Sequence, residues 1–440
     1  MLSSLPGSFA LWATVVAGSS PPALPYQSAT PHVGSTSCAG SSCHGITATW
    51  QRLEGSNVKQ TEHIVWRRED AHARAYDTLL SERSLRIAQN LGLDAAHTAG
   101  VCLDCHADNP RSTERTFVQS QGVGCEACHG GARDWLSTHV TADSHADNLA
   151  AGLFPTEDPV ERARLCLSCH LGNADKSVGH RILGAGHPRL GFELDTFSAI
   201  QPAHYVVDSD YLQRKGVVRP ARTWAVGQAI AATLRLETLA HPERGRDGLY
   251  PELSLYDCHA CHHPQEALRF ESRASVPTAP GRPRFDDAHL LMLRAVASQV
   301  APEQARQLAA GQIALHAASD HDWATLHAAA ADLAVTTQAL ARTLAAWSPT
   351  PEVLWATLHA VVRLGAQGEY TDYAAAEQAT MALGALLSGL ERTHGIEPAP
   401  LSALSTALEG CYAATEDEAA WSPPAFREAL ATFAAASESR

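Results

Sequence analysis

One pattern constrains this chain more than any other. Cys102-Leu103-Asp104-Cys105-His106 recurs in form at Cys125-Glu126-Ala127-Cys128-His129, at Cys166-Leu167-Ser168-Cys169-His170 and at Cys258-His259-Ala260-Cys261-His262. The pairs Cys102/Cys105 and Cys125/Cys128 alone also have the spacing of a structural zinc site. Zinc gives no reason for a histidine to follow every pair. With 23 His in 440 residues, four such placements have a chance probability on the order of 10⁻⁵ against the C-x-x-C-H signature. That signature is the attachment site of c-type haem: two thiols add across the porphyrin vinyl groups, and the next imidazole becomes the proximal iron ligand.

A fifth, looser copy precedes these four, Cys38-Ala39-Gly40-Ser41-Ser42-Cys43-His44. Its Gly and Ser residues let the wider C-x4-C loop buckle so that both thiols reach the vinyls. Ten of the eleven cysteines are then used by five covalent haems, with His44, His106, His129, His170 and His262 as proximal ligands. Five porphyrins also explain the rest of the segment. From about Ser35 to His263 the chain is irregular and rich in His, with short apolar periods that could hardly bury a core alone. The expected fold is mainly α with much irregular structure, a multihaem domain wrapped around stacked haems and then an α-helical bundle. The expected divisions are a leader at 1–28, a pentahaem domain at 29–270, a linker at 271–287 and the bundle at 288–440.

The remaining composition narrows the partners. A formal net charge of −14 argues against nucleic acid or an anionic membrane. It favours redox protein partners with a basic docking face and leaves room for peripheral membrane association. At the N-terminus, Phe9–Ala17 is apolar but too short to span a bilayer. It reads as an export signal without the usual positive n-region, since the first Lys or Arg is Arg52. The true start differs or the signal is atypical, and the bland alternative is a disordered tail. Haem attachment argues independently for a periplasmic or extracellular location.

Each iron also needs a sixth ligand or keeps an open position. There are three methionines, Met1, Met292 and Met381, all far from the motifs, so bis-His, low-spin irons are expected. Asp70–Leu80 reads as a short helix carrying His72, with Asp70 as its cap.

The order of motifs resembles the cytochrome c-554 family. The resemblance rests on the first attachment site, then Ala71-His72-Ala73-Arg74-Ala75, Cys102-x-x-Cys105-His106, Gly122-Val123-Gly124-Cys125-Glu126-x-Cys128-His129-Gly130, His139, and Cys166-x-x-Cys169-His170. It covers roughly residues 30–205. It implies that His139 is the distal ligand of the Cys38/Cys43 haem and His72 that of the Cys166/Cys169 haem. It also implies a five-coordinate iron at Cys102/Cys105. The chain departs from that pattern in its C-x4-C-H first site and its added fifth site. His180 and His187, in His180-Arg181-Ile182-Leu183-Gly184-Ala185-Gly186-His187-Pro188, are further candidate distal ligands. His63 and His204 compete for the iron that is left.

After His263 the composition changes. The stretch 271–287 is rich in Pro, Arg and Ser, as linkers are. From Ala288 the chain is Ala/Leu-rich with helical periodicity and reads as six or so helices, one starting at Thr350-Pro351. Cys411 reads as a small buried hydrophobe. His316 and His327 read as structural or exposed. The functional expectation is an electron carrier whose haem chain links two redox partners. The alternative is a multihaem enzyme that acts on a small nitrogen or sulfur compound, or on peroxide, at one five-coordinate haem.

Overall fold

The computed structural model describes residues 21–47, 58–141, 144–248, 250–262, 273, 275–276 and 282–438. The expected export signal and His263 lie outside them. The chain is mainly helical. Among the described residues the β-structure is a ribbon of Arg246–Asp247 with Tyr250–Pro251 and a few isolated bridges. No helix among them is long and apolar enough to cross a membrane.

The two halves differ as their sequences do. Up to about residue 215 the helices are short, and three of them end on an attachment histidine: Gly100–His106, Cys125–His129 and Pro159–His170. Their apolar clusters are small, such as Leu24 with Phe154 and Leu165. The second half has a continuous core that includes Trp224, Leu291, Leu358, Leu386 and Phe426.

That core starts before residue 288. Pro220–Ala240 is apolar on nearly every side and begins on a proline, which suits a first helical turn. It lies buried against Trp323–Ala345, with Trp224 and Ala225 fully enclosed. Buried polar pairs fix its register: the Thr233 and Thr337 hydroxyls bond at 2.8 Å, and Gln228 Nε2 donates to Gln378 Oε1 at 2.8 Å. Seven helices follow, from Ala288–Val300 to Pro423–Glu438. Thr350 caps the one that starts at Pro351, and Cys411 is fully buried in the core.

Two expected boundaries shift. Leu24 and Pro25, assigned to the leader, are buried, and the Tyr26 hydroxyl donates to Asp175 at 3.0 Å, so the folded part begins before residue 29. The 271–287 stretch carries buried anchors, Arg273, Val276, Arg284 and Phe285. Its polar composition gave no sign that these described residues are buried.

Glu193 gives the fold a pH dependence. It caps Leu194–Ile200, accepting from the Asp195 and Thr196 amides at 2.7 and 2.8 Å and from the Thr196 hydroxyl at 2.7 Å. Burial outweighs these bonds and raises its pKa from 4.5 to about 7; burial also raises Asp195 to about 6. Both groups keep, in the folded state, protons that the unfolded chain has already released. Stability therefore falls as pH rises from the ordinary carboxylate range towards 7. Melting temperature should drop between about pH 5 and about pH 8, and Glu193→Gln should flatten that drop by the equivalent of about 1–3 kcal/mol. An equally steep profile in the variant would refute this origin.

Candidate haem-binding sites

Every attachment histidine has a second imidazole opposite it. His44 faces His139 with ring centroids 6.3 Å apart, and His72 faces His170 at 5.8 Å. His106 faces His187 at 6.3 Å, His129 faces His204 at 6.2 Å, and His262 faces His180 at 6.2 Å. Two metal–imidazole bonds of about 2 Å, the length known for zinc, plus the depth of each ring, span about 6 Å. The five gaps therefore fit one metal-centred group each. The rings are near-parallel in the His44 and His180 pairs, at 13° and 33°, and steeply crossed in the other three, at 87°, 76° and 89°.

The hydrogen bonds support the same role. A metal-ligating histidine usually donates its other ring N–H to a carboxylate or a carbonyl, which fixes its orientation. His44 Nδ1 bonds Glu62 at 3.0 Å, and His72 Nδ1 bonds Asp70 at 2.8 Å. The Nδ1 atoms of His106, His139 and His187 bond the carbonyls of Ala75, Trp135 and Pro188. In all five, Nε2 is left to point elsewhere. Burial lowers His129 to about 4 and lowers His170, His187 and His204 below the usual range. That keeps them neutral, the form that offers a lone pair to a metal. The carboxylates beside His44 and His72 raise those two instead.

Local structure explains how the His72 turn meets Gly122-Val123, just ahead of the third motif. Asp70 caps the turn Ala71–Arg74, and a short α-helix, Ala75–Thr78, continues it. The Val123 amide donates to the His72 carbonyl at 3.0 Å. Gly122 sits at φ +80°, where a Cβ would lie 2.6 Å from the same carbonyl, so the approach requires glycine. Phe192 stacks on His170 at 4.4 Å, and Trp135 stands edge-on to His139 at 5.4 Å.

The attachment cysteines form neighbouring pairs out of sequence order. The Cys125 amide donates to Ser35 Oγ at 3.3 Å, and the Cys38 thiol donates to Cys125 Sγ, a bond that raises Cys38 and lowers Cys125. Cys128 packs in the same small cluster as Leu165, the residue before Cys166. Cys169 Sγ lies 3.9 Å from the Asp104 carbonyl, and Lys176 Nζ bridges Cys169 Sγ at 3.1 Å and that carbonyl at 2.6 Å.

Not every expected ligand stands at a site. His63 lies 5.4 Å from Trp66 and opposite none of the five attachment histidines, while His204, its competitor, faces His129. The Cys102/Cys105 site, expected to be open on one side, has His187 across from its histidine. His316 is buried and bonds the Gln312 carbonyl, and His327 lies against Trp323. Sequence reasoning passed over His32, which is fully buried and bonds Asp108 at 2.9 Å.

The model of the family described as cytochrome c554 and c-prime matches residues 37–130, roughly a fifth of the chain. The matched segment contains the first three attachment motifs. No curated protein and no solved structure matches the chain. The family match supports covalently bound haem c and a part in electron transfer. The chain is thus a c-type cytochrome resembling the cytochrome c554 and c-prime family.

Proposed function

We propose that this protein carries electrons along five c-type haems, each held between two histidines, from one redox partner to another outside the cytoplasm. The observation that carries the reading is the set of five facing imidazole pairs, at 5.8–6.3 Å. In this reading Cys38/Cys43, Cys102/Cys105, Cys125/Cys128, Cys166/Cys169 and Cys258/Cys261 bind the porphyrins. His44, His106, His129, His170 and His262 are proximal ligands; His139, His187, His204, His72 and His180 are their distal partners in the same order. Bound haem supplies one-electron exchange between ferric and ferrous iron. The chain fixes the geometry. Glu62, Asp70 and the carbonyls of Ala75, Trp135 and Pro188 hold five of the ten imidazoles in orientation, so that little has to move when charge changes. Histidine in place of methionine at the distal position favours low potentials.

Chemistry on a small molecule needs an iron with a free face. The site for which that was expected, Cys102/Cys105, has His187 in position to fill it, which favours the relay. The short cores around the motifs fit a domain folded about its porphyrins. The protein's acidity suits partners with a basic docking face.

Low-temperature EPR of the oxidised holoprotein, with cyanide and nitric oxide titrations, tests the reading. All five irons should be low-spin and inert to both ligands. The angle between two axial imidazoles sets the splitting of the iron d orbitals. The two near-parallel pairs should give ordinary rhombic signals, and the three crossed pairs should give the broad, strongly anisotropic kind. One high-spin, cyanide-binding iron per chain would turn the assignment towards an enzyme.

A further inference from the structure

The short segment His180–His187 touches two of the five sites. His180 faces His262 of the fifth motif, and His187 faces His106 of the second. The segment is fixed at both ends. The His180 amide donates to Glu252 Oε1 at 2.7 Å, and the same oxygen accepts from the Ser254 amide at 2.9 Å, on the loop leading to Cys258. At the other end, Arg83 Nη2 donates to the Gly186 carbonyl at 2.9 Å, and Asn90 Nδ2 donates to the Ala185 carbonyl at 3.0 Å. Both side chains belong to the helix Glu82–Leu91.

The other side of the fifth motif is built from residues 284–285 and the C-terminal bundle. Arg284 reaches Asp257, the residue before Cys258, at 3.2 Å. Tyr256 packs on Phe285 at 4.4 Å, and His259 lies 5.5 Å from Trp421. Arg189 bridges Glu377 and Glu418 at 3.0 and 3.1 Å, over the ring of Tyr373. Exposure gives an independent indication. Of the ten attachment cysteines, Cys43 and Cys261 are exposed and the other eight are partly buried.

We infer that the fifth haem is one terminus of the row, joined to the rest at the Cys102/Cys105 haem through His180–His187, and that the first haem is the opposite terminus. The inference rests on the five-haem reading above. The spatial order of the motifs is then first, third, fourth, second, fifth. The bundle gains a role in the same step: it is the outer wall of the terminal site.

Substitution of the two segment histidines tests the inference in the full-length holoprotein. His180→Ala and His187→Ala should each open one high-spin, cyanide-binding iron per chain, and the double variant should open two. In a four-haem chain made by Cys258→Ala/Cys261→Ala, His180→Ala should open none while His187→Ala still opens one. Loss of the fifth haem should shift the potential of the haem that His187→Ala opens and leave the other three unchanged. A high-spin iron from His180→Ala in the four-haem chain, or shifts spread over the other three haems, would overturn the inference. If the four-haem chain does not assemble, the double variant decides: two opened irons support the arrangement, and one overturns it. A wild-type chain with fewer than five haems, or with an iron already open, would show instead that the five-haem reading had failed.

Discussion

Glu126→Ala should destabilise the folded chain by about 3–9 kcal/mol, because it strips three buried amides of their acceptor at about 1–3 kcal/mol each. Glu126 lies between the cysteines of the third motif and is 1% exposed. Its carboxylate accepts from the Val33 amide at 2.8 Å, from Gly34 at 2.6 Å and from Ala132 at 2.7 Å. These amides belong to two strands of loop, one entering the first attachment motif and one leaving the third. With the carboxylate gone, the Val33 and Ala132 amides would be left without an acceptor in buried positions. His32 and Asp108 lie close enough for the three side chains to be read as a cation site, but the oxygens of Glu126 already serve the backbone. Glu126→Gln keeps the shape and turns one acceptor into a donor aimed at an amide, so it should recover only part of the loss. Thermal melts with a haem count by pyridine haemochromogen check both variants. The expected result is a lower melting temperature and defective loading of the first site. An Ala variant that melts and loads like the parent would refute the role.

Arg273→Ala should cost about 3–5 kcal/mol at neutral pH, the usual range for removing one partner of a buried ion pair. Arg273 is fully buried and ion-pairs with Asp287, with Glu369 and Asp372 at 3.9 and 4.0 Å. It also donates to the Glu369 carbonyl at 3.1 Å. Burial pushes Asp287 up, but the guanidinium outweighs it and holds the group at about 2. Asp372, more weakly coupled to the arginine, is pushed by burial to about 7. Without Arg273 the buried acids would lose their nearest counter-charge and would take up protons. The deficit should therefore shrink as pH falls towards about 5, and Asp287→Asn in the Arg273→Ala background should restore part of the stability at neutral pH. Urea unfolding at two pH values measures this. A variant within about 1 kcal/mol of the parent at neutral pH would remove Arg273 from the account of the fold.

The sequence carried the covalent half of each proposed haem site and little of the other half. C-x-x-C-H is local, so its cysteines and proximal histidines can be read from spacing alone. A distal histidine is recruited by the tertiary fold. His139 and His72, which face His44 and His170, were named through a family resemblance. His204 and His63 were not separable, because what divides them is that one lies across from His129 and the other rests on Trp66. His187 ran against the expectation of an open iron, because the feature that places it, the anchoring of Ala185 and Gly186 by Asn90 and Arg83, joins residues about a hundred positions apart. The stretch 271–287 misled for a related reason. Pro, Arg and Ser mark loops, and nothing local signals that Arg273 will find buried acids. The bundle was legible from Ala288 onward, but its central helix, Pro220–Ala240, was hidden among the haem motifs.

The facing pairs also have a direction in time. His170 and His262 face partners that precede them in the chain, His72 and His180. His44, His106 and His129 face partners that come 95, 81 and 75 residues later, at His139, His187 and His204. A chain that emerges N-terminus first therefore presents three half-built sites, and the last of them closes only when residue 204 is out. The fourth and fifth sites find their second imidazole already waiting. On the five-haem reading the segment between residues 139 and 204 therefore completes four of the five sites, and the fifth waits for His262.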